Sequence, residues 1–343
     1  MTHKGLGPSL LTLAIVLGCS DESGSSVDGR EEEVTSALKE SISKDLASWH
    51  EGALALCDAA PSTAWDSTSP AVAPMRQHWR EARAAYEHIE GAIAPLYPDL
   101  DFATDARYDD YLSELGTSGD LNPFDAEGVV GMHGIERILY ADNIPATVVE
   151  LESSLPGYAP ATFPTTDAQA QAFKAELCAR LITDVGTLRT SWDDPATKID
   201  LALAFQGLTD LMGEQAEKVN KAATGEEESR YSQLTMADLR TNLEGAKAAY
   251  AIFSPWVVDE GGAEIDGRIL EGFAALDEAY AAVDGDAIPT PPVTWNPTTP
   301  SENDLETPFG RLWSAVQQAV DPERDGSVVF EMSEAGALLG LAP

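Results

Sequence analysis

His133 and Glu136 are the residues whose types and spacing point most directly to chemistry, because an imidazole and a carboxylate stand three positions apart. The apolar spacing around them is helical, and on a helix this separation places both side chains on one face, about one turn apart. Such a pair can bind one metal ion. His-x-x-Glu is also common as a solvent-exposed or capping pair, so the motif alone leaves both interpretations open.

Glu87 and Glu90 form a second pair with helical spacing, and Asp105 follows in the next segment. Together with the first pair, they would supply several carboxylate oxygens and one imidazole nitrogen. This mixture favours a hard or borderline first-row ion such as iron, manganese or zinc, with copper competing through its generally high affinity. The alternative is that both glutamates lie on a solvated helix face. Their neighbour Tyr86, on the apolar stripe, weighs against that alternative.

Apolar residues at steps of three and four predict that helices position all of these groups. The predicted helices cover residues 34–56, 75–93, 126–140, 167–192, 195–223, 235–253, 265–283 and 308–320. Alternating patterns typical of strands are nearly absent, and the proline-rich residues 288–308 predict an extended connector. We therefore expect an all-α protein made of packed helical bundles.

An internal repeat suggests that the bundles are related. The alanine-rich pattern that ends in tyrosine at residues 82–86 recurs at residues 246–250. An Asp-x-Arg motif follows each copy, at residues 105–107 and 266–268. Alanine-rich segments can also match by chance, so the repeat remains a hypothesis at this point.

The repeat divides the chain into two helical bundles. We place the first at residues 34–192 and the second, with the connector and the C-terminal helix, at residues 193–343. The second copy has Ala251 and Ser254 just beyond its tyrosine, where the first copy has acidic residues. The acidic site is therefore expected in the first bundle alone.

The N-terminal residues have the pattern of a bacterial lipoprotein signal. Residues 1–18 combine a short basic start with an apolar run too short for a permanent transmembrane helix, and Val-Leu-Gly-Cys at 16–19 matches a lipobox. We expect a signal peptide over residues 1–18, a lipid anchor on Cys19 and a flexible tether over residues 19–33. Ser20 favours the outer membrane by analogy with Gram-negative sorting. The alternative is an ordinary secretory signal with an incidental cysteine.

Cys57 and Cys178 are the thiols that remain if Cys19 is lipidated. An exported chain meets an oxidising environment, where a disulfide between the two is possible. Both also stand among apolar positions, so two separate buried thiols are an equal alternative. Neither has the spacing of a thiolate metal site.

The chain of 343 residues is strongly acidic, with a formal net charge of −37. This charge argues against nucleic-acid binding, and against unaided binding of anionic lipid or acidic polysaccharide. It suits a cation binder, but it equally suits a protein that needs only solubility.

Four blocks of sequence carry a resemblance to a known family. They are Ala-Arg-Ala-Ala-Tyr-Glu-His-Ile-Glu at 82–90, Asp-Ala-Arg-Tyr-Asp-Asp at 105–110, Gly-Met-His-Gly-Ile-Glu at 131–136, and Gly-Glu-Glu-Glu-Ser-Arg-Tyr-Ser at 225–232, continuing through 238–247. These blocks resemble the imelysin-like proteins, which include EfeO/EfeM-type periplasmic components of bacterial ferrous-iron uptake. The family's Gly-x-His-x-x-Glu signature falls on Gly131, His133 and Glu136. The resemblance implies a metal site that also includes Glu87 and Glu90, and less directly Asp105.

The resemblance implies a membrane-anchored, metal-binding protein of the cell envelope that captures iron for uptake, with a transporter of the inner or outer membrane as partner. Two departures limit it. EfeO-like members usually have a histidine where this chain has Gln233, so that histidine's role is lost or moved. No cupredoxin-like domain precedes the bundle in this sequence, so copper-dependent oxidation of ferrous iron is not implied.

Two other functions remain as alternatives. The imelysin name carries a peptidase label, and a bound metal could activate water. The sequence nevertheless lacks His-Glu-x-x-His and Gly-x-Ser-x-Gly motifs. The other alternative is a module that binds a protein partner or a polysaccharide, in which the acidic cluster is structural.

Overall fold

The helices of the protein follow from long amphipathic stripes in its sequence. In the first helix, apolar residues recur every three or four positions, and the side chains of Leu38, Leu46 and Trp49 are fully buried. The computed structural model describes residues 23–341, and these residues form helices and loops without any strand. The expectation of an all-α protein is therefore confirmed.

The helices have the following bounds. They are α1 (Ser23–Ala59), α2 (Val72–Glu87), α3 (Glu90–Ile93), α4 (Pro98–Asp105), α5 (Tyr108–Leu115), α6 (Gly131–Leu139), α7 (Ala146–Ser153), α8 (Asp167–Ala172), α9 (Cys178–Asp193), α10 (Leu201–Lys221), α11 (Thr235–Asp259), α12 (Ala263–Ala281), α13 (Glu302–Leu305), α14 (Pro308–Val320) and α15 (Val328–Leu339). A π-helical turn, Phe173–Leu177, joins α8 to α9. The apolar spacing in the sequence does not predict α4, α5, α7, α13 and α15, and α13 is a helical turn within the segment predicted as an extended connector.

The N-terminal predictions meet the structure only in part. The signal peptide over residues 1–18 and the lipid anchor on Cys19 lie outside the described residues. Helix α1 begins at Ser23, so the described part of the segment predicted as a flexible tether is helical. None of the helices between residues 23 and 341 is long and apolar enough to cross a membrane.

Helices from both halves of the chain share one hydrophobic core. In the first half, α1 packs along α2 and α9, and in the second half, α10 to α12 pack with α14 and α15. The halves meet where α3 lies against α10 and α2 lies against α11. The buried apolar side chains form one cluster, whose members range from Val34 in the first half to Leu341 in the second. The division into two bundles at residue 192 thus remains a prediction, and the two predicted bundles share this core.

Glycines allow the closest approaches between the two halves. A Cβ atom at Gly245 of α11 would overlap the carbonyl oxygen of His88, and one at Gly207 of α10 would overlap that of Gly91. His88 lies in a break between α2 and α3, where the sequence predicts a single helix over residues 75–93. The break separates Glu87 from Glu90, so the two carboxylates do not share one helical face as expected.

Cys57 and Cys178 are paired as a disulfide that joins α1 to the start of α9, with their Cα atoms 5.6 Å apart. Both cysteines are buried. A crosslink between residues separated by 121 positions limits the freedom of the unfolded chain considerably. The pairing is the first of the two alternatives that the sequence leaves open.

Reduction of this disulfide should lower the free energy of unfolding by about 2–5 kcal/mol, because the unfolded chain gains conformational freedom. Denaturant titration of the chain that starts after Cys19, with and without reductant, measures the difference. The Cys57→Ala/Cys178→Ala variant is the control, since its unfolding midpoint should not respond to reductant. An equal midpoint for the reduced and oxidised wild-type protein would contradict the prediction.

Asp45→Asn should lower the pKa of His88 and remove a pH-dependent contribution to stability. His88 Nδ1 lies 3.1 Å from Asp45 Oδ2 on α1, and this hydrogen bond raises the pKa of His88 above its usual 6.5. The stabilisation is fully present at a pH below the pKa of His88 in the unfolded chain, and it is lost as the pH rises through the pKa of His88 in the folded protein. For a partly exposed pair we expect less than about 1 kcal/mol. NMR titration of His88 tests this, and an unchanged pKa in the variant would refute it.

Candidate metal centre

Gly131 brings the start of α6 against the end of α4, and Gly134 lets the loop before α6 pack closely on that helix. Gly131 has φ +78°, and a Cβ atom there would lie 2.6 Å from the carbonyl oxygen of Thr104. A Cβ atom at Gly134 would lie 2.7 Å from the carbonyl oxygen of Val129. Glycine is the residue that tolerates both the left-handed backbone and such close contacts. The tight packing places His133 of α6 beside Asp105, the last residue of α4.

Glu136 fixes the orientation of the His133 ring. Its Oε2 atom lies 2.8 Å from His133 Nδ1, and its Oε1 atom accepts a hydrogen bond from the backbone amide of Ser232 at 2.8 Å. Both side chains are buried. A carboxylate that holds one imidazole nitrogen leaves the other directed at a possible ligand, which is the usual arrangement around metal-binding histidines. Glu136 therefore orients His133 in this structure, and its role as a metal ligand stays a prediction.

Asp105, His133 and Glu228 form a possible metal-binding triad. One ligand atom from each residue lies within 4.8 Å of the others. His133 Nε2 is 3.5 Å from Asp105 Oδ1 and 3.8 Å from Glu228 Oε1. Although this nitrogen is buried, it has no hydrogen-bond partner among the described residues. One imidazole nitrogen and two carboxylates suit iron, manganese or zinc.

Glu228 is a site residue that the sequence does not predict, because nothing in it distinguishes among three consecutive glutamates. It lies in the loop between α10 and α11 and is 1% exposed. Its Oε2 atom is 2.7 Å from Arg107 Nη2 and 3.5 Å from Lys218 Nζ. These cations hold the pKa of Glu228 well below its usual range despite burial. Since Glu228 belongs to the second half of the chain, the acidic cluster in the structure draws on both halves, whereas the sequence predicts an acidic site in the first half alone.

Glu87 and Glu90 pair with cations beside the triad. Glu87 contacts the guanidinium of Arg83 and accepts a hydrogen bond from Asn242 at 2.6 Å. Glu90 lies 3.0 Å from Lys218 Nζ and accepts a second hydrogen bond from Asn242 at 2.8 Å. Both glutamates are buried. The structure thus pairs both glutamates with cations beside the triad, and their role as metal ligands stays a prediction.

Carboxylates outnumber permanent cations at the triad, and all of these groups are buried except Asp105 and Arg107, which are partly exposed. The carboxylates are Glu87, Glu90, Asp105, Glu136, Glu228 and Asp238, and the cations are Arg83, Arg107 and Lys218. Burial and Arg83 disfavour a charged His133, but the neighbouring carboxylates outweigh them and raise the pKa of His133 to about 10. A metal ion that binds Nε2 must therefore displace a proton.

Gln233 stabilises the loop that carries Glu228. Its backbone has φ +59°, which is uncommon for a residue other than glycine. Its side-chain amide donates hydrogen bonds to Glu227 Oε1 at 2.6 Å and to the carbonyl oxygen of Arg230 at 2.9 Å. Among the hydrogen bonds of the described residues, Gln233 makes none with the triad.

A second His-x-x-Glu pair occurs on the surface of α2. His78 Nδ1 lies 3.0 Å from Glu81 Oε2, nearly the same separation as in the buried pair. The side chains are 33% and 52% exposed, so water satisfies their remaining polar atoms. This pair is an internal control for any property assigned to His133 and Glu136.

Gly131→Ala should displace α6 from α4 and weaken metal binding at the triad at least about tenfold, because the new methyl group must push against the backbone of Thr104. Gly116→Ala is the matched control. Gly116 has φ +71°, but a Cβ atom added there would meet no neighbouring atom within 4 Å, so this change adds backbone strain without a clash. Titration with Zn²⁺ compares the two, and equal affinities would contradict this role for Gly131.

Comparisons with known proteins agree with this architecture. The imelysin family model (Peptidase_M75) matches residues 42–321. The iron uptake system component EfeM of Pseudomonas syringae pv. syringae (strain B728a) is 26% identical over 213 residues, which cover 61% of this chain and 59% of that protein. The chain thus matches about three fifths of that relative's length.

A solved structure shares the fold. It is the crystal structure of a protein from Parabacteroides distasonis ATCC 8503 that is described as an iron-regulated protein A precursor. The TM-score is 0.50 with 13% identity, and the match covers 91% of this chain and 94% of the other. At this identity the likeness concerns the fold alone. The family match over most of the sequence is what decides membership: this chain belongs to the imelysin family.

Proposed function

We propose that this protein captures a transition metal ion, foremost iron, at Asp105, His133 and Glu228 in the cell envelope and delivers it for uptake. The observation that carries the proposal is the buried His133 Nε2 atom, which faces two carboxylates and has no hydrogen-bond partner in the described part of the chain. A buried polar atom without a hydrogen-bond partner costs free energy, and a metal ion that displaces the proton from this nitrogen removes that cost. The similarity to a protein named as an iron uptake component supports iron as the ion.

The triad supplies only part of a coordination shell, which suits capture and release. Three protein ligands leave positions for water or for a ligand from the next carrier. Asp105 is the most accessible of the three, with 14% of its side chain exposed, whereas the other two are 1% exposed. The ion therefore enters and leaves past Asp105, at the short connection between α4 and α5.

The location and the partner follow from the same proposal. A lipid on Cys19 would anchor the protein to a membrane, with the outer membrane favoured, and the helical body would face the periplasm. Transport across a membrane requires a spanning component, and no helix between residues 23 and 341 can supply one. We therefore expect an iron transporter of the inner or outer membrane to receive the ion.

The enclosure of the triad weighs against peptidase activity. A peptidase must bring a peptide bond next to its metal, so that a bound water molecule can attack the carbonyl carbon. His133 and Glu228 are each 1% exposed, and side chains of Arg83 and Lys218 surround them. To reach the triad, a peptide backbone would have to displace these buried side chains. Manganese, zinc and copper remain competitors of iron for the same ligands.

The chain that starts after Cys19 should bind one equivalent of iron, and His133→Ala should abolish this binding. Glu136→Gln should weaken it about 10–100-fold, because the imidazole loses the partner that orients it. Competition among iron, manganese, zinc and copper at matched concentrations ranks the ions. Metal content after dialysis and calorimetric titration give the stoichiometry and the affinity.

His78→Ala/Glu81→Ala is the matched control, because it removes the same motif from the surface of α2. It should bind metal as the wild-type protein does, and circular dichroism should show that every variant remains folded. Equal binding by the wild-type protein and His133→Ala would refute the site. Negligible binding by both would instead favour a module that recognises a protein partner or a polysaccharide.

A further inference from the structure

We propose that Arg83 is an exchangeable internal counter-ion of the metal centre: its guanidinium occupies the ligand oxygens before the ion binds and moves toward Asp238 when the ion arrives. The inference rests on the proposed function, because it assumes that a metal ion binds at Asp105, His133 and Glu228. It adds a mechanism by which the protein limits its affinity for the metal ion and can release the ion that it has bound.

Arg83 contacts the same two oxygen atoms that a metal ion would need. Its Nη1 atom pairs with Asp105 Oδ1, and its Nη2 atom lies 3.2 Å from Glu228 Oε1. These are the oxygens that face His133 Nε2, at 3.5 and 3.8 Å. Two positive charges cannot both approach these oxygens closely without strong repulsion in a buried site. The guanidinium and the metal ion therefore compete.

The other two cations near the triad do not compete in this way. Arg107 and Lys218 approach Glu228 through its opposite oxygen, Oε2, at 2.7 and 3.5 Å. These contacts on Oε2 hold the carboxylate in one orientation, in which Oε1 is directed toward the imidazole. Arg107 and Lys218 are thus positioning residues, whereas Arg83 occupies the binding face itself.

A second set of partners for Arg83 already lies beside it. Asp238 Oδ1 is 3.9 Å from Arg83 Nε, too far for a hydrogen bond. Among the described residues, both Arg83 Nε and Asp238 Oδ2 are buried without a hydrogen-bond partner. Glu87, one helical turn after Arg83, contacts the guanidinium from the same helix. A shift of the guanidinium toward Asp238 would satisfy these unpaired atoms and vacate Asp105 Oδ1 and Glu228 Oε1, while Glu87 keeps its contact.

Arg83→Met tests the competition, because methionine preserves much of the apolar stem and removes the charge. In the chain that starts after Cys19, we expect this variant to bind Zn²⁺ and Fe²⁺ at least about tenfold more tightly than the wild-type protein. This difference corresponds to about one unit in log Kd. It should also release the ion more slowly to an excess of chelator in a stopped-flow measurement.

Arg107→Met is the control for the general loss of a positive charge near the triad. A gain in affinity for Arg83→Met that exceeds the gain for Arg107→Met would support direct competition. Equal gains, or no gain for Arg83→Met, would overturn the inference while leaving the metal site intact. Absence of metal binding by the wild-type protein would overturn both the proposed function and this inference.

Asp238→Asn provides an independent test if the removal of Arg83 prevents folding. This nearly isosteric change takes the negative charge from the residue that would receive the guanidinium. Because the displaced Arg83 then has a poorer partner, we expect several-fold weaker Zn²⁺ binding. Unchanged or tighter binding by Asp238→Asn would contradict the movement of Arg83 toward Asp238.

Discussion

The burial of more carboxylates than cations is the constraint on which the centre of this protein depends. A carboxylate removed from water costs several kcal/mol unless charge and hydrogen bonds compensate it. Arg83, Arg107 and Lys218 supply part of the compensation. Burial still raises the pKa of Asp238 to about 7, so this part of the network is not fully compensated. A metal ion that replaces the proton on His133 adds positive charge among these carboxylates, which links ion binding to the stability of the fold.

The helical architecture can be predicted from the sequence because amphipathic periodicity is a local property. The stripe through Leu38, Leu46 and Trp49 is continuous, and its helix forms as expected. The break after Glu87 cannot be predicted in this way. The break falls at His88 and Ile89, neither of which is a helix-breaking residue. It lies where Gly245, distant in sequence, approaches the backbone of His88. Tertiary contact between the two halves thus overrides the local pattern there.

The site is predictable only where its members are close in sequence. His133 and Glu136 share one helix, so their contact follows from helical spacing. Glu228 lies 145 positions from Arg83 and contacts it across the interface between the halves. Nothing in the residue types distinguishes Glu228 from the glutamates that precede it. Its role arises from the loop conformation that turns its carboxylate inward, and this conformation depends on contacts with other parts of the chain.

The comparison of the two His-x-x-Glu pairs shows what separates a motif from a site. His78 and Glu81 have the same spacing and nearly the same hydrogen-bond length as the buried pair, but they lie on the surface. Water can satisfy the second nitrogen of an exposed histidine at no cost. For His133, the close packing at Gly131 excludes water and places two carboxylates opposite Nε2. The enclosure, rather than the motif, creates an atom that needs a ligand, and the same enclosure requires an internal counter-ion such as Arg83 until the ligand arrives.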